Sequence, residues 1–311
     1  MGMHRELVEK LETLRRRRRA VILAHNYQPP EVQDIADFVG DSLELARKAM
    51  ETDADVIVLA GVRFMAETAK LLNPDRIVLH PVPDAGCPLA DFLTVNAIRE
   101  ARREHPGAPV VLYINSHLDA KAEADYIVTS SSAVKLVSML EDDTVLFGPD
   151  RNLADYVAEN LPGKRIVPVP LHGHCPVHQY LITARHVEEA RRRYPGARVL
   201  IHPEAPREAR RLADYVGSTS QMVRYIGETG AQGTYLLGTE EGLAYRARKL
   251  YPTADVKPLN PKAICRNMKK ITLRSIVEAL ERLAPRVELD PVQAKKAREA
   301  MERSLEMFKK N

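Results

Sequence analysis

Cysteine occurs only three times in the 311 residues, at 87, 175 and 265. The intervals are nearly equal, 88 and 90 residues (175 − 87, 265 − 175). Each cysteine stands in a proline-framed polar loop: PVPDAGCPLAD (Pro81–Asp91), PVPLHGHCP (Pro168–Pro176) and KPLNPKAICRNMK (Lys257–Lys269). Isolated thiols in similar surroundings at one period imply three similar units, each donating one thiol to a common site.

The remaining pattern has the same period. Helical Met3–Arg19 leads into an apolar run, Ala20–Ala24, that reads as a buried parallel strand ending on His25. Pro109–Ile114 and Ala197–Ile201 repeat it and end on Asn115 and His202. Each follows a Pro-Gly-Ala turn and a polar helix, Val95–His105 or Thr183–Tyr194. Two further strand sets are expected: Ala54–Leu59, Ala124–Thr129 and Ala213–Ser218, each opening with Ala-Asp, and Arg76–His80, Thr144–Gly148 and Thr234–Gly238. Strands alternating with helices imply right-handed βαβ units and parallel sheets, whose ligands collect at the carboxyl ends of the strands. The period is too long for a solenoid and suits a small α/β domain. The expectation is an α/β fold: three pseudo-symmetric α/β domains with small parallel sheets around a central pseudo-threefold active site. Their bounds are residues 1–90, 91–178 and 179–268, with C-terminal docking helices over 269–311. In that tail Thr272 caps a helix to Leu283. Asp290-Pro291 opens another, with Ala297, Met301, Leu305 and Phe308 as its apolar stripe.

Hydrophobic residues make up 45% of the chain, enough for buried cores. A net charge of +4 is too mild to point to nucleic acid. The one basic block, Arg15–Arg19, shares a helix with Leu7, Leu11 and Leu14 and reads as a solvated helix end. No apolar run is long enough for a membrane span, and no signal-peptide pattern opens the chain. Without a C-x-x-C pair no disulfide framework is expected, and a reducing, cytoplasmic setting follows.

Three thiolates can bind a metal and leave one coordination place open. Buried cysteine is often only a small hydrophobe, but polar, proline-framed loops argue for ligands. Zinc suits Cys₃His, with His172, His174 and His178 near Cys175 in the chain. An iron–sulfur cube on three cysteines leaves its fourth iron open as a Lewis acid. Ligand count alone leaves both open. A second set stands at or just past strand ends: His25, Tyr27, Tyr113, Asn115, His202 and Glu204. Each alone is explained as a polar strand cap. Together they suit hydrogen bonding and proton transfer, with Glu204 a general base if its surroundings raise its pKa. A third, hydroxyl-rich set opens helices: Gly40-Asp41-Ser42, Thr129–Ser132 and Gly217–Ser220. Helix capping explains these residues, and the same geometry binds carboxylates or phosphate. His186 reads as surface, and His80 is given no role.

Nine motifs, in order and across nearly the whole chain, resemble the quinolinate synthase family. They are HNYQ (His25–Gln28), GDS (Gly40–Ser42), DAGCPLAD (Asp84–Asp91), YINS (Tyr113–Ser116), TSSSAVK (Thr129–Lys135), GHCPVH (Gly173–His178), HPE (His202–Glu204), GSTSQM (Gly217–Met222) and CRNMK (Cys265–Lys269). The resemblance implies a transferase of NAD biosynthesis that condenses iminoaspartate (iminosuccinate) with dihydroxyacetone phosphate to quinolinate, phosphate and water. It implies a [4Fe–4S] cluster on Cys87, Cys175 and Cys265, which favours the cluster over zinc. It places substrate contacts on His25, Ser42, Tyr113, Asn115, Ser130, His202, Pro203, Glu204 and Thr219. Proton transfer falls on Glu204, Tyr27, His202 and Tyr113, and no role carries over to His172 or His174. Ser132 stands where the family frequently has Asn. Iminoaspartate implies coupling to an aspartate oxidase or dehydrogenase. The rival readings are a zinc hydrolase or lyase on the same thiolates, and a ligand-binding or electron-transfer module; an electron carrier has no use for His, Tyr and Glu at strand ends.

Overall fold

The computed structural model describes residues 2–309, which hold three four-stranded, all-parallel sheets. The first contains β1 (Ala20–His25), β2 (Phe38–Gly40), β3 (Val56–Ala60) and β4 (Ile77–Leu79). The second contains β5 (Val110–Tyr113), β6 (Tyr126–Val128), β7 (Thr144–Gly148) and β8 (Arg165–Pro168). The third contains β9 (Arg198–Ile201), β10 (Tyr215–Val216), β11 (Thr234–Gly238) and β12 (Asp255–Pro258). All three share one order, second–first–third–fourth. The apolar runs become strands because parallel sheets are covered on both faces: β3 and β5 are buried along their whole length.

The chain forms two compact units. One comprises residues 2–87 with Cys265–Asp290, and the other Pro88–Ile264 with residues 291–309. In the first, Leu11 and Leu14 of helix Gly2–Arg18 pack with Ile276, Val277 and Leu280 of helix Leu273–Arg282 and with Ile22, Val56 and Val58 of the sheet. Thr272 caps that second helix in a capping box with Ser275, as its sequence position indicates. In the second unit, helix Pro291–Lys309 buries Ala297, Ala300 and Ser304, whereas Leu305 is exposed. Small residues let the helix approach the edge strand β6, where Ser304 Oγ accepts the Ile127 N–H at 2.8 Å.

A polar tie repeats in all three sheets. Asp37, Asp125 and Asp214, just before or at the second strand, each accept a first-strand backbone N–H at 2.7 Å: Ile22, Val110 and Val199. Each aspartate N–H returns a bond to that same residue's carbonyl. An arginine of the preceding helix pairs with each carboxylate: Arg15, Arg102 and Arg191. Arg15 is therefore a structural partner, not part of a solvated helix end.

This register corrects two expectations. The first unit holds two Ala-Asp pairs, and the one equivalent to Ala124-Asp125 and Ala213-Asp214 is Ala36-Asp37, not Ala54-Asp55. Val56–Ala60 is a third strand, matching Thr144–Gly148 and Thr234–Gly238, and Ile77–Leu79 is a fourth. The residue equivalent to His25 and His202 is Tyr113, not Asn115, at intervals of 88 and 89 (113 − 25, 202 − 113). Asn115 matches Tyr27 and Glu204.

Ser304→Ala leaves the buried Ile127 N–H without its acceptor. A loss of about 1–3 kcal/mol is expected, read as a lowered urea midpoint. An unchanged midpoint would show that the edge of β6 finds another partner.

Candidate active site

In each sheet the strand order reverses beside the first strand, and open α/β sheets bind ligands outside the carboxyl ends there. His25, Tyr113 and His202 stand at these ends, with Tyr27, Asn115 and Glu204 two residues on. Ser42, Ser130 and Thr219 hold the matching place after the second strands.

Glu204, in the second unit, is buried with every polar group engaged. Tyr113 Oη donates to its Oε1 at 2.7 Å. His178 Nδ1 lies 2.8 Å from its Oε2, an ion-pair distance without the alignment of a hydrogen bond. The other His178 nitrogen is 2.9 Å from Thr239 Oγ1, and the ring stacks on His202 with centroids 4.8 Å apart. The loop is also held through its carbonyls. Arg210 Nη1 donates to Ala205 O at 2.7 Å and Pro203 O at 3.4 Å, and Asn152 Nδ2 donates to Glu204 O at 2.9 Å.

Burial pushes the Glu204 carboxyl up. The charge and close contact of His178 and the Tyr113 hydrogen bond outweigh burial, and the group lies below its ordinary value. The condition named for a general base, surroundings that raise the pKa, is therefore not met: Glu204 is ionised at neutral pH. Burial lowers His202 to about 3, which makes it a neutral imidazole. Asp150, wholly buried, is pushed well up by burial and by the charge of Glu204. Its carboxyl caps helix Arg151–Asn160 through the Leu153 N–H at 2.8 Å and accepts the Cys175 N–H at 3.1 Å.

Asn115 Oδ1 is buried with no partner among the described residues. Buried acceptors are nearly always bonded, so this atom suits a donor on a ligand. His178, Asp150 and Thr239 went unassigned in the sequence reading, His178 beyond its naming as a zinc ligand. Asp150 was legible as a helix cap after a strand; nothing in the chain's pattern announces Thr239. His172 and His174 instead join Phe92 and Tyr180 in ring contacts of 5.1–5.5 Å.

In the first unit the His25 and Tyr27 rings meet edge-on, centroids 4.4 Å apart, and the Tyr27 N–H reaches His25 Nδ1 at 3.2 Å. His80, also in this unit, is a buried histidine bonded to Gly61 O at 3.0 Å. Ser42 and Thr219 are the first residues of their helices, behind capping boxes at Asp41 and Ser218. Ser130 lies in the turn before helix Ala133–Met139, where Ser132 Oγ accepts the Thr129 N–H at 2.9 Å.

All three cysteines are half-buried. The carbonyl two residues before each accepts a backbone N–H from the start of the helix after the third strand: Arg63 to Ala85, Arg151 to Gly173 and Glu241 to Ala263, at 2.8–2.9 Å. In the first unit, Asn267 Nδ2 bonds Gly86 O at 2.9 Å, joining the Cys87 and Cys265 segments. In the second, Cys175 Sγ, a His178 nitrogen and a Glu204 oxygen lie within 4.8 Å of one another. Thiols in loops held by repeated backbone bonds are a donor set suited to a soft metal centre.

A family model for quinolinate synthetase A protein matches residues 9–306. The chain belongs to this family. It is 52% identical to the quinolinate synthase of Pyrococcus horikoshii over 304 residues, 98% of this chain and 100% of that one. Similar relatives are the quinolinate synthases of Thermococcus kodakarensis, 50% identical over 97% of this chain and 98% of that one, and Thermotoga maritima, 46% over 97% and 100%. No helix among the described residues of this quinolinate synthetase A family member is long and apolar enough to cross a membrane.

The buried imidazole gives the chain a pH signature. Folding lowers His202 from 6.5 to about 3, so between these values the unfolded chain binds a proton that the folded one refuses. Its contribution to stability is complete above the unfolded value and is lost as pH falls toward the folded one. In the metal-free protein, His202→Asn is expected to flatten the fall of the guanidinium midpoint between about pH 7 and about pH 4.5. An unaltered slope would mean that His202 titrates normally in the fold.

Proposed function

We propose that the chain condenses iminoaspartate with dihydroxyacetone phosphate to quinolinate, releasing phosphate and water, as a carbon–carbon bond-forming transferase of NAD biosynthesis. The observation that supports this most is the buried Tyr113–Glu204–His178–Thr239 chain: an ionised carboxylate at a strand end with a hydroxyl on one oxygen and an imidazole beside the other. The similar relatives bear the name of that activity.

The cofactor we propose is a [4Fe–4S] cluster on Cys87, Cys175 and Cys265; when bound it supplies a Lewis-acidic iron with one open coordination place. The chain has three cysteines, one after the fourth strand of each sheet, which suits a three-thiolate cluster. Zinc on Cys175, His178 and Glu204 fits less well, because His178 and Glu204 already face each other and hold Thr239 and Tyr113. The division at residues 90, 178 and 268 is proposed on the repeat of the three sheets.

The chain's own residues then have these tasks. Ser42 and Thr219 at helix starts, and Ser130 in the turn before a helix, take substrate carboxylates and phosphate. Asn115 Oδ1 accepts from the substrate nitrogen. His25, the neutral His202 and the Pro203 loop line the substrate. Loss of phosphate from the triose needs a proton taken from a carbon beside the carbonyl, and Glu204 or Tyr27 takes it. The low proton affinity of Glu204 makes it a weak base and favours giving a proton on, through Tyr113, to a departing hydroxyl. Iminoaspartate is supplied by an aspartate oxidase or dehydrogenase, and the setting is the cytoplasm.

Anaerobic reconstitution with iron and sulfide is expected to give brown protein that forms quinolinate. Colourless, zinc-loaded, active protein would overturn the cluster. Glu204→Gln should keep the iron content and lower kcat by about 10²–10⁴-fold; full turnover would remove Glu204 from proton transfer.

A further inference from the structure

Residues 265–270 lie in the first unit and touch two of its loops. The outer two contacts reach the loop of Cys87: Asn267 Nδ2 donates to Gly86 O and Lys270 Nζ to Asp84 O, both at 2.9 Å. The inner two reach the loop after β1: Lys269 Nζ donates to Tyr27 O at 2.7 Å, and Gln28 Nε2 meets Met268 Sδ at 3.4 Å.

These bonds differ in weight. The Lys270–Asp84 ion pair is exposed and contributes little. A thioether is a weak acceptor, and the buried Gln28 Oε1 has no partner among the described residues, so Gln28 is a poor anchor. Gln33 Nε2 holds the carbonyls of Asn26 and Gln28 at 3.1 and 2.9 Å. The carbonyl between them, that of Tyr27, is held by the Lys269 ammonium, and charge-assisted bonds are about twice as strong as neutral ones. The Asn267 amide bond is the matching anchor on the cysteine side.

We propose that Asn267 and Lys269 are positioning residues that put the Cys87 and Cys265 segments and the Tyr27 loop into one register, so that ordering the metal ligands orders Tyr27. The proposal rests on the reading that these cysteines hold the cluster and that Tyr27 moves a proton. Neither residue needs to touch substrate: one sets the backbone under Tyr27, the other the backbone beside Cys87. Only Met268 separates them, a span too short to let one end move alone.

Hydrogen exchange on the full chain, metal-free and reconstituted, tests this with Lys269→Met, Lys269→Arg and Asn267→Asp. In the metal-free chain, Lys269→Met is expected to speed exchange at residues 25–28 by about tenfold and to leave β3 unchanged, and Lys269→Arg, which keeps a donor, to restore most of the protection. Reconstitution of the wild-type chain should slow exchange at both 84–87 and 25–28, and of Lys269→Met at 84–87 alone. Lys269→Met should lower kcat by about tenfold with KM within about threefold. Asn267→Asp should lose iron to a chelator about fivefold faster than wild type. Wild-type exchange at 25–28 in metal-free Lys269→Met, or protection there when that variant is reconstituted, overturns the proposal. A wild-type chain that takes up no iron would refute the cluster instead, and the metal-free comparison would still decide the role of Lys269.

Discussion

One aspartate per sheet carries the geometry on which the rest depends. Asp37, Asp125 and Asp214 each join the start of the second strand to a backbone N–H inside the first. In a parallel pair, pinning the starts sets how far the carboxyl ends reach, and brings the first strand's last residue level with the helix start after the second. A slip of one residue would turn His25, Tyr113 and His202 to the opposite face. The arginine partners are partly exposed and add little as ion pairs. The specificity lies in the aspartate–backbone bond, which is satisfied in one register only.

The same economy of polar groups shapes the centre of the second unit. A lone buried carboxylate is costly, and Glu204 is tolerated because Tyr113 and His178 each face one of its oxygens. Asp150 is a second buried carboxyl in its field. Their surroundings push the two in opposite directions, Glu204 down and Asp150 up. Such divergence separates roles. The ionised group is the one with a hydroxyl on one oxygen and an imidazole facing the other. The raised one caps a helix and holds the Cys175 N–H, tasks for which a full charge beside Glu204 would be a liability.

Much of this was legible in the chain. The long apolar first and third strands show themselves by composition, and the strand-end polar residues and helix caps by position. Not every short strand does: β2 spans three residues, too few to show a period, whereas β10 lies inside the expected Ala213–Ser218. Ala36-Asp37 and Ala54-Asp55 look alike in sequence, and only the reach of one carboxylate to Ile22 separates them. His178 illustrates the other limit. Its spacing from Cys175 suggests a ligand, and only the fold shows that the ring also stacks on His202, meets Thr239 and faces Glu204. Pairings made across 24 to 91 residues, such as that of Tyr113 with Glu204, are decided by the fold rather than by local pattern.

Equivalent positions across the repeat divide into two kinds. At some the residue is the same or nearly so: Cys, Cys, Cys in the loops after the fourth strands and Ser, Ser, Thr two or three residues past the ends of the second strands. At the strand ends the residues differ: His, Tyr, His, then Tyr, Asn, Glu. A scaffold repeated three times thus keeps the residue type in its loops and beside its second strands and varies it at the ends of its first strands. The two carboxylate and phenol positions share one further device. Beneath Tyr27 the carbonyls are held by Gln33 and Lys269, and beneath Glu204 by Asn152 and Arg210. Each loop is therefore located through its backbone by side chains from elsewhere in its own unit. Support of this kind fixes the backbone and leaves the side chain to its own partners, for Glu204 the Tyr113 hydroxyl and the His178 ring.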